Sequence, residues 1–103
     1  MSEFVRIGKA SDLPEGRLLV VEVGGQDIVV AHAEGEFYAI GEACSHAGGP
    51  LGDGRLDGCE IECPWHGSRF DLRTGEATKP PATSPVTRYV VKVEDDDILI
   101  RPA

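Results

Sequence analysis

RLLVVEVGGQDIVVAHAEGEFYAI, residues 17–40, contains three short runs of β-branched, aliphatic and aromatic residues. Two pairs of turn-forming residues, Gly24-Gly25 and Glu34-Gly35, separate these runs. Runs of this composition favour strands, and a two-residue turn containing glycine joins neighbouring strands as an antiparallel hairpin. The stretch therefore predicts a three-stranded antiparallel meander. Its strands are expected at residues 17–23, 26–33 and 36–40.

The remainder of the chain continues this pattern of short strands. CEIEC, residues 59–63, alternates, so its two cysteines and Ile61 are expected on one face and its two glutamates on the other. Two later apolar runs flank the acidic stretch 95–97, which we expect to be the solvated tip of a hairpin. With no long helix and no internal repeat, the pattern predicts an all-β fold of stacked antiparallel sheets, either a sandwich or a barrel.

Length and charge restrict the classes of function. A chain of 103 residues predicts a single domain, 1–103, because a second hydrophobic core would not fit. Ten basic residues against 18 acidic ones give a formal charge of -8, which argues against nucleic acid or an anionic membrane surface as a partner, since both are recognised by basic surfaces. No apolar run approaches the roughly 20 residues that a spanning helix needs. We therefore expect no membrane association.

The cysteines indicate a compartment and a chemistry. The chain has three cysteines, Cys44, Cys59 and Cys63, and an odd number cannot all pair in intramolecular disulfides. Because the first residues also contain no apolar signal-peptide run, we predict a cytoplasmic protein, in which neighbouring Cys and His residues indicate metal binding. Cys59 is expected to be a small apolar side chain within its strand, and His32 a surface or half-buried strand residue.

Two irregular segments carry the candidate ligands. GEACSHAGGPLGDG contains Cys44 and His46, and CPWHGS contains Cys63 and His66. The constellation is therefore Cys-x-His, 16 residues, then Cys-x-x-His. Four soft or borderline metal ligands are thus predicted on two loops, one cysteine and one histidine on each.

A set of two cysteines and two histidines suits two kinds of metal centre. Structural zinc sites usually take both cysteines from one pair and both histidines from the other. In mixed-ligand [2Fe-2S] centres, two histidines replace two cysteines on one of the two irons, so each loop must reach both irons with one Cys and one His. The interleaved order favours the iron-sulfur cluster, and zinc remains the alternative.

The motifs CSHAGGPLGDG and CPWHGSRFDLRTG resemble those of the Rieske proteins, and most closely the small Rieske-type ferredoxins of bacterial multicomponent aromatic-ring dioxygenases. The likeness extends from FVRIGKASDLPEG to VVKVEDDDILI. It implies a Rieske fold with a small cluster-binding subdomain at about residues 40–81. It also implies that Cys44 and Cys63 bind one iron, and that His46 and His66 bind the other.

The resemblance further implies roles for residues around the cluster. Ser68 would donate a hydrogen bond to a bridging sulfide, and a third loop containing Pro81 would cover the cluster. Trp65 is expected to shield the cluster, with a contact to a partner protein as the alternative. High-potential Rieske proteins carry an extra cysteine in each ligand loop, where this chain has Gly49 and Trp65, and a tyrosine where it has Phe70. Without that disulfide and that hydroxyl, we predict a reduction potential near the low end of the Rieske range, roughly -150 mV.

The number of histidines and the lack of a nucleotide-binding motif indicate an electron carrier and not an enzyme. A catalytic oxygenase subunit needs a second iron held by two histidines and a carboxylate, but the cluster would use two of the three histidines and leave only His32. There is also no Gly-x-Gly-x-x-Gly dinucleotide motif. The resemblance therefore implies a monomeric one-electron ferredoxin between an NAD(P)H-dependent flavin reductase and a terminal dioxygenase, both docking near His46 and His66.

Two other functions remain open from the sequence. The small subunit of an NADH-dependent nitrite reductase has a similar domain, and there the chain would be a structural partner within a stable enzyme complex. A zinc-stabilised interaction module is the other alternative. Complete cluster ligands and an acidic, free-standing chain favour the electron carrier.

Overall fold

The computed structural model describes residues 4–42, 51–65, 67–80 and 84–102. Within these residues the regular structure is almost entirely β. The strands are β1 (Val5–Lys9), β2 (Leu18–Val23), β3 (Gln26–Ala33), β4 (Glu36–Gly41), β5 (Arg55–Asp57), β6 (Glu60–Glu62), β7 (Arg69–Asp71), β8 (Ala77–Lys79), β9 (Arg88–Glu94) and β10 (Asp97–Pro102). Short 3-10 turns lie at Ala10–Asp12 and Leu51–Asp53. The described residues include no helix long and apolar enough to cross a membrane.

Six strands form the larger sheet, in the order β1-β10-β9-β4-β3-β2, and neighbouring strands are antiparallel. The predicted meander is confirmed as β2-β3-β4. Gly24 and Gly25 have φ values of 60° and 81°, which the tight turn between β2 and β3 requires. The sheet curls into an almost closed barrel. Its two edge strands come close together, since Val5 of β1 and Val23 of β2 line the same cavity of about 260 Å³.

The smaller sheet, β5-β6-β7-β8, is antiparallel and is inserted in the chain between β4 and β9. The alternation predicted for residues 59–63 is confirmed around β6. Cys59, Ile61 and Cys63 are buried, whereas the two intervening glutamates are partly exposed. One face of this sheet is therefore apolar and the other charged, as expected when one face packs against a second sheet.

Strand β3 lies between two apolar cores, which explains why residues 28–31 are all buried. Successive side chains of a strand point to opposite faces, so alternate residues of β3 enter different cores. The core inside the barrel contains Leu13, Ile28, Val30, Ala39, Ile98 and Ile100. The core that joins the barrel to the smaller sheet contains Val29, Ala31, Ala33, Ile40, Leu51, Cys59, Ile61, Cys63, Phe70, Leu72 and Val86. The predicted stacking of antiparallel sheets is confirmed, and Cys63 belongs to the core between them.

The acidic stretch forms the turn between β9 and β10, as predicted, but its carboxylates also make specific contacts. Asp95 and Asp96 have φ values of 48° and 73°, as tight hairpin turns require. Asp96 accepts hydrogen bonds from the backbone nitrogen and the hydroxyl of Ser11, at 2.9 and 2.7 Å. Asp97 accepts one from Arg6 at 2.7 Å. The turn therefore fastens β1 and the residues after it to the β9-β10 hairpin.

Candidate metal centre

The second ligand segment is a tight turn at the end of the smaller sheet. The backbone nitrogen of Cys63 donates to the carbonyl of Ser68 at 2.7 Å, and that of Gly67 donates to the carbonyl of Cys63 at 3.1 Å. Gly67 has a φ of 74°, a conformation that favours glycine. The side chain of Cys63 is directed inward, with the residue only 2% exposed, because it continues the buried face of β6.

The residues that flank the first ligand segment are held together at its base. The backbone nitrogen of Leu51 donates to the carbonyl of Glu42 at 2.8 Å. The carboxylate of Glu42 also accepts a hydrogen bond from the backbone nitrogen of Gly52, at 3.2 Å. Leu51 is completely buried in the core between the sheets. Glu42, Leu51 and Gly52 therefore form one hydrogen-bonded base for the first ligand segment.

The bases of the two ligand segments are in direct contact. A β-carbon on Gly54 would lie 2.1 Å from the carbonyl oxygen of Glu62, which immediately precedes Cys63. A real β-carbon does not approach an oxygen so closely, so only glycine permits this packing. Residues that are 8 positions apart in sequence thus bring the end of one segment against the start of the other.

The structure describes three of the predicted site residues, Cys63, Trp65 and Ser68. The ligands Cys44, His46 and His66, and the predicted cover residue Pro81, lie outside the described residues. Among the residues that are described, no group of three or more His, Cys, Asp or Glu side chains is arranged to hold a metal ion, and only one predicted ligand, Cys63, belongs to this set. Ser68 is completely buried, whereas Trp65 is 56% exposed.

The arrangement of the described residues fits an iron-sulfur cluster. The sulfur of Cys63 is buried at the base of a hydrogen-bonded turn, where it is able to bind a metal with little exposure to water. The fully buried polar side chain of Ser68 lies at the other end of the same turn. Both ligand segments start from bases that touch, as a centre bound by both segments requires.

Charged side chains cover the outward face of the smaller sheet beside the turn between Cys63 and Ser68, the ligand turn. Arg69 is at the centre of this group and lies within 3.5 Å of carboxylate oxygens of Asp57, Glu60 and Glu62. Its hydrogen bond to Asp57 is the main reason why the pKa of Arg69 is raised above its ordinary value. Arg55 contacts Glu62 at 3.3 Å. The guanidinium groups thus neutralise part of the acidic surface close to Cys63.

Cys59 was predicted to be an apolar strand residue, and the structure adds a polar contact to that description. It is buried in the core between the sheets, but its thiol also donates to the carboxylate of Glu34 at 3.0 Å. Burial, followed by this hydrogen bond, raises the pKa of the thiol. The sequence could not reveal this pair, because its members are 25 positions apart.

His32 is half-buried in β3, as predicted. Its Nδ1 donates to the carbonyl of Leu13 at 2.9 Å, and its ring stacks on Phe37 with centroids 4.1 Å apart. Its Nε2 lies 3.5 Å from the carboxylate of Glu15. His32 therefore has packing and hydrogen-bonding roles in the barrel, remote from the ligand turn.

Comparison with known proteins identifies the family. The sequence model of the Rieske [2Fe-2S] domain matches residues 3–90. The chain belongs to the Rieske [2Fe-2S] family. The chain is similar to the ferredoxin component of the naphthalene 1,2-dioxygenase/salicylate 5-hydroxylase systems of Ralstonia sp, with 41% identity over 87% of this chain and 86% of that one. It is also 40% identical to the biphenyl 2,3-dioxygenase ferredoxin component of Rhodococcus jostii, over 94% of this chain and 91% of that one.

Solved structures of Rieske ferredoxins have the same fold. The ferredoxin of carbazole 1,9a-dioxygenase from Nocardioides aromaticivorans superposes with a TM-score of 0.93 at 38% identity, covering 99% of this chain and 100% of that one. A ferredoxin solved in a complex of reduced oxygenase and oxidised ferredoxin in carbazole 1,9a-dioxygenase superposes with a TM-score of 0.92 at 30% identity, covering 100% of this chain and 98% of that one.

These findings confirm the predicted Rieske fold and a Rieske-type [2Fe-2S] cluster as the cofactor. They also confirm the predicted class, because the relatives are ferredoxin components and not catalytic subunits. The iron-sulfur interpretation is thus supported over zinc. The assignment of Cys44, His46, Cys63 and His66 as the ligands stays a prediction.

Proposed function

We propose that this Rieske ferredoxin carries single electrons from an NAD(P)H-dependent flavin reductase to the terminal Rieske oxygenase of an aromatic-ring dioxygenase system. The named relatives belong to naphthalene and biphenyl dioxygenase systems, which supports this class of system. The solved complex of a similar ferredoxin with an oxygenase supports the electron acceptor. The main structural support is the buried thiol of Cys63, in a closed turn whose base contacts the base of the first ligand segment.

In this proposal, Cys44 and Cys63 bind one iron, and His46 and His66 bind the other. The bound cluster supplies one-electron chemistry at a centre whose oxidised form is close to neutral, which raises its potential above that of all-cysteine clusters. The turn from Cys63 to Ser68 contributes a thiolate and excludes water from it. The buried Ser68 would supply a hydrogen-bond donor to the bound cluster.

The partners dock at the end of the molecule that carries the ligand segments, near His46 and His66. Trp65 lies within the second segment and is 56% exposed, which supports a partner contact more than the predicted shielding of the cluster. Electron-transfer complexes bury little surface, so one exposed aromatic side chain contributes a large share of the binding energy. The carrier acts as a monomer in the cytoplasm, where reduced nicotinamide coenzymes supply the reductase.

Stopped-flow reoxidation of the reduced ferredoxin tests the proposal. The wild-type protein, mixed with the terminal oxygenase of a naphthalene 1,2-dioxygenase system, is expected to deliver one electron per chain. Trp65→Ala should reduce the second-order rate constant about tenfold, which corresponds to a loss of about 1.4 kcal/mol at the interface. No electron transfer from the wild-type protein to oxygenases of this class would contradict the proposed function.

Val93→Ala is the matched control, because Val93 is also an exposed apolar residue, at 43%. It lies at the end of β9 next to the acidic turn, whereas the start of β9 pairs with β4 close to the first ligand segment. We expect the Val93 variant to transfer electrons at the wild-type rate. Equal rate losses in the two variants would show that docking is not centred on Trp65.

A further inference from the structure

Arg69 and Glu62 form the last cross-strand pair before the ligand turn. They face each other across β6 and β7. Glu62 immediately precedes Cys63, and Arg69 immediately follows Ser68. The hydrogen bond from Cys63 to the carbonyl of Ser68, at 2.7 Å, is the next connection along the hairpin. The two charged residues therefore lie at the neck of the turn that holds the candidate ligand.

Three carboxylates surround the guanidinium of Arg69. Its Nη1 lies 2.8 Å from Oδ2 of Asp57 and 3.5 Å from Oε1 of Glu60, and its Nε lies 3.5 Å from Oε2 of Glu62. The Arg69 side chain is only 23% exposed, so these charges are partly removed from the screening of bulk water. Arg55, at 3.3 Å from Glu62, is more exposed, and among the residues that the structure describes it pairs with that carboxylate alone. Arg69 is therefore the main positive charge against three negative ones.

We propose that Arg69 raises the reduction potential of the cluster. Its positive charge offsets the carboxylates beside Glu62 and Arg69, the pair at the base of the turn between Cys63 and Ser68. The inference rests on the proposed ligand role of Cys63. Reduction adds a negative charge to the cluster, which nearby carboxylates oppose and a nearby cation favours. Without Arg69, Asp57 and Glu60 would lose this compensating charge, and Glu62 would keep its contact with the exposed Arg55.

The reduction potential of three variants, measured by voltammetry at fixed ionic strength, tests this role. Arg69→Gln removes the charge and should lower the potential. Arg69→Lys keeps the charge without the forked geometry and should retain most of the wild-type value. Arg73→Gln is the matched control, since Arg73 pairs with Asp71, lies beyond the far end of β7 and is 61% exposed. It should shift the potential much less than Arg69→Gln.

Three outcomes would overturn the proposal, provided that the visible spectrum shows an intact cluster. They are an unchanged potential in Arg69→Gln, equal decreases in the Gln and Lys variants of Arg69, and an equal decrease in Arg73→Gln. Equal decreases in the Gln and Lys variants would indicate that shape and not charge matters. The measurement involves no partner protein, so it is independent of whether electrons reach an oxygenase.

A fourth variant keeps the test decisive if Arg69→Gln does not assemble a cluster. Glu60→Gln removes one of the carboxylates that Arg69 offsets, from a residue that is not adjacent to Cys63. We expect it to raise the potential, opposite in sign to the effect of Arg69→Gln. An unchanged or lower potential in Glu60→Gln would show that this group of charges does not act on the cluster.

Discussion

The thiol of Cys59 lies 3.0 Å from Oε1 of Glu34 and donates a hydrogen bond to it. This contact joins the β5-β6 turn of the smaller sheet to the β3-β4 turn of the barrel, at the opposite end of β6 from Cys63. Glu34 is itself held in place, because the carboxylate of Glu15 accepts hydrogen bonds from the backbone nitrogens of Glu34 and Gly35, at 2.7 and 2.8 Å. A polar contact therefore reinforces the apolar packing between the two sheets.

Cys59→Ala should lower the free energy of unfolding by about 1–2 kcal/mol, since it removes this hydrogen bond and leaves a small space in the core. The exposed carboxylate of Glu34 remains hydrated, which keeps the cost moderate. Cys59→Ser retains a donor and should lose less. Chemical denaturation measures the effect, and iron analysis supplies the control. Iron per chain should be unchanged, and a loss of iron in Cys59→Ala would show that Cys59 binds the cluster.

Stability should fall at alkaline pH because of the same thiol. Burial and the hydrogen bond to Glu34 raise the pKa of Cys59 above its ordinary value of 9.0. A pKa that is higher in the folded state means that the protonated thiol favours folding. That contribution is complete below the ordinary pKa and is lost as the pH rises through the raised pKa. Thermal unfolding above about pH 9 should therefore decline more steeply in the wild-type protein than in Cys59→Ala.

The comparison with Cys59→Ala tests the thiol together with its contact to the hydroxyl of Tyr38. Tyr38, whose pKa is also raised, mainly by burial, is present in both proteins. Parallel declines of stability with pH in the two proteins would assign the effect to Tyr38 or to the cluster, and would contradict the role of Cys59.

Gly54→Ala should disturb the cluster site. Its β-carbon would meet the carbonyl oxygen of Glu62, a backbone atom that cannot rotate away, and so would push the bases of the two ligand segments apart. We expect a destabilisation of about 1–3 kcal/mol and fewer irons per chain. Gly8→Ala is the matched control, because nothing lies within 4 Å of a β-carbon at Gly8. Full iron content in Gly54→Ala would indicate that the spacing of the two bases is not critical.

Metal analysis and ligand replacement test the four predicted ligands. The purified protein should be red-brown, with about two irons and two acid-labile sulfides per chain. His46→Cys or His66→Cys, if the cluster survives, should lower the reduction potential because each replacement adds a negative charge to both redox states. An unchanged potential would show that the replaced histidine does not bind iron. Stoichiometric zinc without sulfide would contradict the iron-sulfur centre itself.

Local patterns in the sequence were sufficient to predict most of the longer strands, whereas β1, β5 and β8 were not predicted. Turn pairs such as Gly24-Gly25, between runs of β-branched residues, predict the β2-β3-β4 meander because both signals depend on neighbours in the chain. Alternation in residues 59–63 likewise predicts which face of β6 is buried, and therefore that Cys63 points inward. The interleaved order of Cys and His predicts the type of cluster, because ligand chemistry depends on residue identity and spacing.

The sequence by itself thus determined the all-β class, the meander, the inward direction of Cys63 and the family. Tertiary structure alone decided that Cys59 donates a hydrogen bond to Glu34 and that Gly54 lies against Glu62. It also decided that Arg69 lies within 3.5 Å of three carboxylates beside the ligand turn. Strand and turn preferences are local, so they can be recognised within a few residues. Contacts between the sheets and across the charged face depend on strand register and on how the smaller sheet packs on the barrel, which no single segment specifies.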